Sequence, residues 1–79
     1  MLTFEFSAGE DETLELHGDR EGLLRLASIL TQLAESKEPD HVHLMTPDWG
    51  GTTLSAEPQG LDATLFKHVK VCVWPAEDK

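Results

Sequence analysis

The sequence predicts a single α+β domain, residues 1–79, in which one amphipathic helix packs on one face of an antiparallel sheet. Short runs of alternating apolar and polar residues occur before and after residues 19–36, and alternation with a period of two is typical of half-buried strands. Residues 19–36 instead repeat apolar residues at helical spacing. The expected element order is β-β-α-β-β-β, with four to five strands.

The first two strands are predicted at Leu2–Phe6 and Thr13–His17, and the polar segment Ser7–Glu12 joins them. Two alternating runs with a short glycine-containing connection indicate an antiparallel hairpin. The alternation places five apolar side chains toward the core, namely Leu2, Phe4, Phe6, Leu14 and Leu16. The intervening residues, including Thr3 and Glu5, are then expected on the outer face.

A helix of about four to five turns is predicted to begin after Asp19 and to end near Ser36, before Pro39. Asp19 suits the N-cap because its carboxylate can accept hydrogen bonds from the free amides of the first turn. The apolar stripe consists of Leu23, Leu26, Ala27, Leu30, Leu33 and Ala34. Gly22 lies in the first turn despite its low helix propensity, so we expect the helix to approach the sheet closely there.

The second half of the chain is organised around the segment His41–Leu54. A strand is predicted at His41–Met45, followed by a Pro-Asp-Trp-Gly-Gly corner and a short strand near Thr52–Ser55. The longest loop is expected at Ala56–Thr64, and a last alternating strand at Lys67–Trp74. In these strands Val42, Leu44, Val69, Val71 and Val73 are expected to face the core.

A single helix covers one side of a sheet, so the other side is expected to be open to water or to a partner. Strand parity places all four histidines on that open face. The predicted outer face consists of Thr3, Glu5, Thr13, Glu15, His17, His41, His43, Met45, His68, Lys70, Cys72 and Trp74. A register shift of one residue in any strand would remove its side chains from this set.

The chain is strongly acidic, with a formal net charge of −9. Such a field repels nucleic acid and anionic lipid, and it accelerates association with basic partners. The single cysteine, Cys72, cannot form an intrachain disulfide, which fits a reducing compartment. The N-terminal residues lack the features of a signal peptide, and no apolar run approaches the length of a transmembrane helix. We therefore expect a cytoplasmic, soluble protein without a membrane partner.

The histidines of the predicted open face are open to several interpretations. His41 and His43 form an H-x-H pair that, with His68 or Cys72, could supply ligands to a metal ion. The sequence has no dense Cys/His pattern, so the favoured expectation is no metal and no cofactor. Cys72 lies within a predicted strand, away from a helix N-terminus that would lower its pKa, and no nucleophile motif is present, so no enzyme activity is expected. The histidines could also be ordinary polar residues on a hydrated face.

An interaction surface is the remaining interpretation, because tryptophan dominates interface energetics and isolated exposed tryptophan is unusual in a monomer. Trp49 could pack at the end of the sheet or reach a partner, and residues 10–12 could form a solvated turn or contact a basic partner. The candidate partner-binding residues are Glu5, Glu10, Asp11, Glu12, Glu15, His41, His43, Met45, Asp48, Trp49, His68 and Trp74.

Several strings in the sequence are also familiar. They are HLMTPDWGG at His43–Gly51, the Gln59-Gly60 pair, HVKVCVWP at His68–Pro75 and EGL-x-x-LA at Glu21–Ala27. Together they resemble the immunity protein 32 family, small bacterial immunity proteins of polymorphic toxin systems. The resemblance implies a non-enzymatic protein that binds and neutralises a cognate toxin in the cytoplasm. The alternative is a homodimeric or scaffold module that uses the open sheet face.

Overall fold

The elements follow the predicted order, and the strands form two antiparallel sheets. The computed structural model describes residues 1–7, 12–60 and 62–75. The strands are β1 (Leu2–Ser7), β2 (Thr13–Gly18), β3 (Asp40–Met45), β4 (Ala63–Leu65) and β5 (His68–Val73), with helix α1 at Arg20–Ala34. Sheet 1 has the strand order β2-β1-β4, and sheet 2 pairs β3 with β5. The α+β class and the element order are confirmed, although the strands belong to two sheets where we expected one.

Helix α1 begins as the sequence predicts. The Asp19 carboxylate accepts a hydrogen bond of 2.7 Å from the Gly22 amide and lies 2.7 Å from the N-terminal amino group. Gly22 is buried, and a Cβ atom at this position would overlap the carbonyl oxygen of Met1. The helix therefore approaches the chain closely at Met1, next to the first strand of the sheet, and this approach explains a glycine where alanine would favour the helix.

The core lies between the helix and both sheets. Leu26 of the helix packs with Leu2 of β1, Leu44 of β3 and Leu54. The half-buried side chains around this cluster are Phe4, Ile29, Val42, Val69 and Val71. The predicted inward parity is thus confirmed for β3 and β5 and for the beginning of β1.

The segment between the corner and β4 differs from the sequence prediction. Thr52–Ser55 forms bends and no strand, while Ala63–Leu65, which overlaps the predicted loop, pairs with β1. Isolated backbone hydrogen bonds link this segment to both sheets: the Leu54 amide donates to Met45 and the Ser55 amide donates to Leu2. These two bonds to two different strands, β3 and β1, satisfy these amides without a continuous ladder, so the β-branched run here does not form a strand.

The predicted faces of sheet 1 are partly wrong. Leu14 and Leu16, expected in the core, are 60% and 45% exposed. Both belong to β2, which is an edge strand of sheet 1. The helix forms the core with residues of β1 and sheet 2 instead. Thr3 and Glu5, expected to be exposed, are completely buried. In the part of the chain that the structure describes, no helix has both the length and the apolar character that a membrane span requires.

Candidate functional site

The polar face of sheet 2 is open and carries most of the candidate residues from β3 and β5. The register places His41 opposite Cys72, His43 opposite Lys70 and Met45 opposite His68. Residues that face each other across two strands project from the same side of the sheet. Met45 is half-buried, and the other five residues are exposed.

Three of the four histidines form a row across this face. The ring centroids of His41 and His43 are 4.9 Å apart, and those of His43 and His68 are 4.8 Å apart. His43 Nδ1 and His68 Nε2 lie 2.7 Å from each other, a hydrogen bond in which one ring donates and the other accepts. At least one of these two rings is therefore neutral while the bond exists.

Trp49 extends the histidine row at the corner after β3. Its ring centroid is 5.5 Å from that of His68, and the side chain is 56% exposed. Of the two interpretations of Trp49, packing at the end of the core or accessibility to a partner, this exposure favours accessibility. We refer to His41, His43, His68 and Trp49 together as the histidine-tryptophan row.

The corner that presents Trp49 is tightly bonded. The buried Thr46 donates its hydroxyl hydrogen to the Asp48 carboxylate, and Lys67 Nζ lies 3.2 Å from the same carboxylate. Gly50 follows the short 3₁₀ helix Pro47–Trp49 with a φ of 85°, a conformation that favours glycine. The backbone then turns back so closely that a Cβ atom on Gly51 would overlap the carbonyl oxygen of Met45.

The surroundings of His43 on this face and of Asp48 at the corner lower the pKa of both groups. Partial desolvation lowers the pKa of His43, and the positive charges of His68, His41 and Lys70 lower it further. The hydrogen bond from Thr46 lowers the pKa of the Asp48 carboxyl, and Lys67 adds to this effect despite some opposing desolvation. The face thus favours neutral His43 and an ionised Asp48.

The polar face of sheet 1 is different, and it corrects the prediction for Glu5. The buried Glu5 carboxylate accepts hydrogen bonds of 2.8 Å from the amides of both Gln59 and Gly60, and a third from the Thr3 hydroxyl at 2.5 Å. The loop that contains Gln59 and Gly60 therefore covers Glu5. In this conformation Glu5 cannot contact a partner, because an anionic side chain attracted the free backbone amides of its own chain.

His17 and Glu15 also lie on sheet 1. His17 Nε2 is 2.8 Å from Glu15 Oε1, so this histidine pairs within its own strand and is not part of the row. The expectation that all four histidines share one face is wrong, because the strands are divided between two sheets. Glu15 is half-buried beside Gly60.

The remaining candidates lie apart from the row or outside the described residues. Trp74 follows β5 and is 78% exposed, and Glu12 precedes β2 and is also exposed. The predictions for Glu10 and Asp11 lie outside the described residues. The roles of Thr46 and Lys67 in holding the corner were not predicted from the sequence. The Thr-Pro-Asp string was the available signal for Thr46, because it places a hydroxyl two residues before a carboxylate in a turn.

The side chains of the row and of the adjacent Met45 are suited to binding another molecule. The face presents imidazoles that donate or accept hydrogen bonds, an indole and a thioether. Within residues 1–7, 12–60 and 62–75, no group of three or more His, Cys, Asp or Glu side chains is arranged to hold a metal ion.

The sequence was compared with models of known protein families, with curated proteins and with solved structures. The family model described as immunity protein 32 matches residues 13–65, more than half of the chain. The match covers β2, the helix, the corner with Trp49 and the loop that binds Glu5. No curated protein and no solved structure shows significant similarity to the chain. The family match agrees with the resemblance of the individual strings, and the chain belongs to the immunity protein 32 family.

Proposed function

We propose that this protein binds a cognate toxin domain in the cytoplasm, one protein to one toxin, and neutralises it without enzymatic chemistry. Membership of an immunity protein family is the observation that supports this function. The proposed contact surface consists of the histidine-tryptophan row, together with Met45, Asp48 and Trp74. The acidic residues Glu10, Asp11, Glu12 and Glu15 are proposed to attract the toxin from a greater distance.

The exposed tryptophans support this location of the interface. Trp49 and Trp74 are 56% and 78% exposed, and large aromatic side chains left in water are typical anchors of protein interfaces. Trp49 also lies against His68, so a partner that covers the indole would cover the imidazole as well. Burying both removes apolar surface from water and leaves the indole N–H of Trp49 able to donate a hydrogen bond to the partner.

The net charge of −9 supports a basic toxin partner. Long-range attraction between opposite charges raises the association rate, and salt screens it over a distance of about 10 Å at 0.1 M ionic strength. A toxin that acts on nucleic acid would present a basic groove, and the acidic protein would compete for that groove. Blocking of the active site is then the simplest mode of inhibition.

The test is a binding measurement with the toxin domain encoded beside this gene, purified as a catalytically inactive variant. Wild-type protein is expected to form a one-to-one complex by calorimetry, with an association rate that falls as salt rises. Trp49→Ala is expected to weaken binding by about tenfold or more, as is typical of an interface anchor. Leu30→Ala, which changes a 41% exposed residue of the helix, is the matched control and should bind as wild type.

Failure of the wild-type protein to bind the toxin would overturn the proposal. An association rate that does not change with salt would count against electrostatic attraction of a basic toxin. Light scattering on the free protein tests the alternative of a homodimeric module. A stable dimer that dissociates in Trp74→Ala would favour that alternative.

A further inference from the structure

A shallow apolar hollow lies next to the histidine-tryptophan row. It has a volume of about 250 Å³ and is lined by Phe4, Leu14, Phe66, His68 and Val69. His68 is the single polar residue of this lining, and it also contacts His43 and Trp49 of the row. The hollow and the row are therefore continuous through one side chain.

The hollow belongs to the part of the apolar face of sheet 1 that lies beyond the helix core around Leu2 and Leu26. Phe4 pairs with Leu16 and Phe6 pairs with Leu14 across β1 and β2, so these side chains share one side of the sheet. Leu14 is 60% exposed, Leu16 is 45% exposed and Phe66 is 40% exposed. Neighbouring exposed side chains of this size are typical of an interaction site and are uncommon elsewhere on a monomeric protein.

We propose that an apolar side chain from a basic segment of the toxin inserts into this hollow while the same toxin covers the histidine-tryptophan row. This inference rests on the proposed function and specifies the chemistry of the partner. An apolar cavity of about 150 Å³ holds a benzene molecule, so the hollow has room for one aromatic or leucine side chain. Continuity through His68 allows one partner to occupy both regions.

The charge at the end of sheet 1 next to Leu14, one residue of the hollow, indicates that the inserted side chain belongs to a basic segment. Thr13 and Ala63 both pair with Ser7, so the preceding residues, Glu12 and Asp62, lie at the same end of sheet 1. Both acids are exposed. A basic segment would gain favourable contacts there, whereas a second copy of this chain would bring the same acids and the same net charge of −9. The charges therefore favour the toxin over self-association.

The first test changes one leucine on this face and one elsewhere. Leu14→Gln is expected to weaken binding of the inactive toxin domain by about tenfold or more, because an apolar contact is replaced by a polar side chain. Leu24→Gln is the matched control, since Leu24 is 57% exposed on the helix and does not line the hollow. It should change affinity by less than about twofold. Circular dichroism and thermal unfolding confirm that both variants fold.

Equal affinities for Leu14→Gln and wild type, measured with a toxin that binds wild type tightly, would overturn the inference and leave the proposed function intact. Absence of binding by the wild-type protein would instead overturn the proposed function and with it this inference. A wild-type dimer that Leu14→Gln dissociates would show that a second copy occupies the hollow, which also overturns the inference.

A second test concerns Glu12 and Asp62, the two acids at one end of sheet 1. The double variant Glu12→Gln with Asp62→Asn should slow association at low salt by several-fold and should reduce its salt dependence. Asparagine suits position 62 because Asp62 has a φ of 56°, a conformation that asparagine tolerates well. An unchanged association rate in this double variant would show that the inserted segment is not basic and would overturn that part of the inference.

Discussion

The polar faces of the two sheets arise from similar sequences and have opposite environments. Thr3 and Glu5 alternate with apolar residues in β1, as His41 and His43 do in β3. Thr3 and Glu5 are completely buried, whereas His41 and His43 are exposed. The loop with Gln59 and Gly60 covers the first pair, and no described segment covers the second in the same way.

The difference follows from what each side chain offers to the backbone. A carboxylate has only acceptors, and it binds several backbone amides strongly because it is charged. An imidazole offers one donor and one acceptor when neutral, and in the single bond between His43 and His68 one ring donates and the other accepts. The acidic face therefore binds the chain's own loop, and the histidine face stays available for other molecules.

The pKa of Glu5 reflects the hydrogen bonds that its carboxylate accepts. Burial alone would raise the pKa of this carboxyl, but hydrogen bonds from Thr3, Gln59 and Gly60, with the positive charge of His17, together lower it below the ordinary value of 4.5. The ionised form is thus stabilised by folding.

The largest expected loss of stability comes from removing the Glu5 carboxylate. Glu5→Ala leaves the Thr3 hydroxyl and the Gln59 and Gly60 amides without their acceptor, and it should lower the melting temperature by about 10 °C or more. His43→Ala, on the open face, should lower it by less than about 3 °C, since an exposed residue contributes little to stability. Thermal unfolding of both variants by circular dichroism makes the measurement. Similar losses in the two variants would show that the faces do not differ as described.

The second expected effect is a pH dependence of stability that comes from Glu5 on the covered face. Because folding lowers the pKa of Glu5, its contribution to stability is present above its ordinary value of 4.5 and is lost as the pH falls through the folded pKa. Urea unfolding between about pH 6 and pH 3 should therefore show a smaller loss of stability in Glu5→Gln than in wild type.

Asp19 and Asp48 also have lowered pKa values, so Glu5→Gln should reduce the acid sensitivity without abolishing it. Glu38→Gln, which changes an exposed acid before β3, is the control and should follow the wild-type curve. Parallel curves for wild type and Glu5→Gln would contradict the assigned pKa direction.

The smallest effect is a shift in one pKa on the open face. His68→Gln removes a positive charge beside His43, so the pKa of His43 should rise toward its ordinary value of 6.5. Titration of the histidine ring signals by NMR gives this pKa directly. His17→Gln, on the other sheet, should leave it unchanged. A pKa of His43 that stays constant in His68→Gln would show that the two rings do not interact in solution.

Much of the fold follows from local patterns. The Asp19 cap, the helical stripe and the alternation in β1, β2, β3 and β5 are each determined by near neighbours in the sequence. The division into two sheets is different, because it depends on bonds between distant residues, such as the amide of Ser55 to Leu2 and that of Phe66 to Phe4. Such pairings leave no periodic signal, so β4 and the bends at Thr52–Ser55 were not predictable in this way.

The candidate site was predictable to a similar extent. Parity correctly places His41, His43 and His68 on one exposed face, because β3 and β5 are neighbours in the sheet. It fails for Glu5 and Leu14, whose environments depend on which segments lie above them. Alternation tells which residues share a side of a strand, and only the tertiary structure tells what covers that side.

The corner after β3 has a consequence for how fast a complex would dissociate. Thr46, Asp48 and Lys67 hold the turn, and the two glycines allow it to close tightly behind Trp49. The backbone that carries Trp49 is consequently fixed before any partner arrives, so less conformational entropy is lost when the indole is covered. An aromatic anchor on a preorganised turn favours long residence times. Substitutions that loosen the turn while keeping Trp49 should therefore shorten the lifetime of a complex more than they slow its formation.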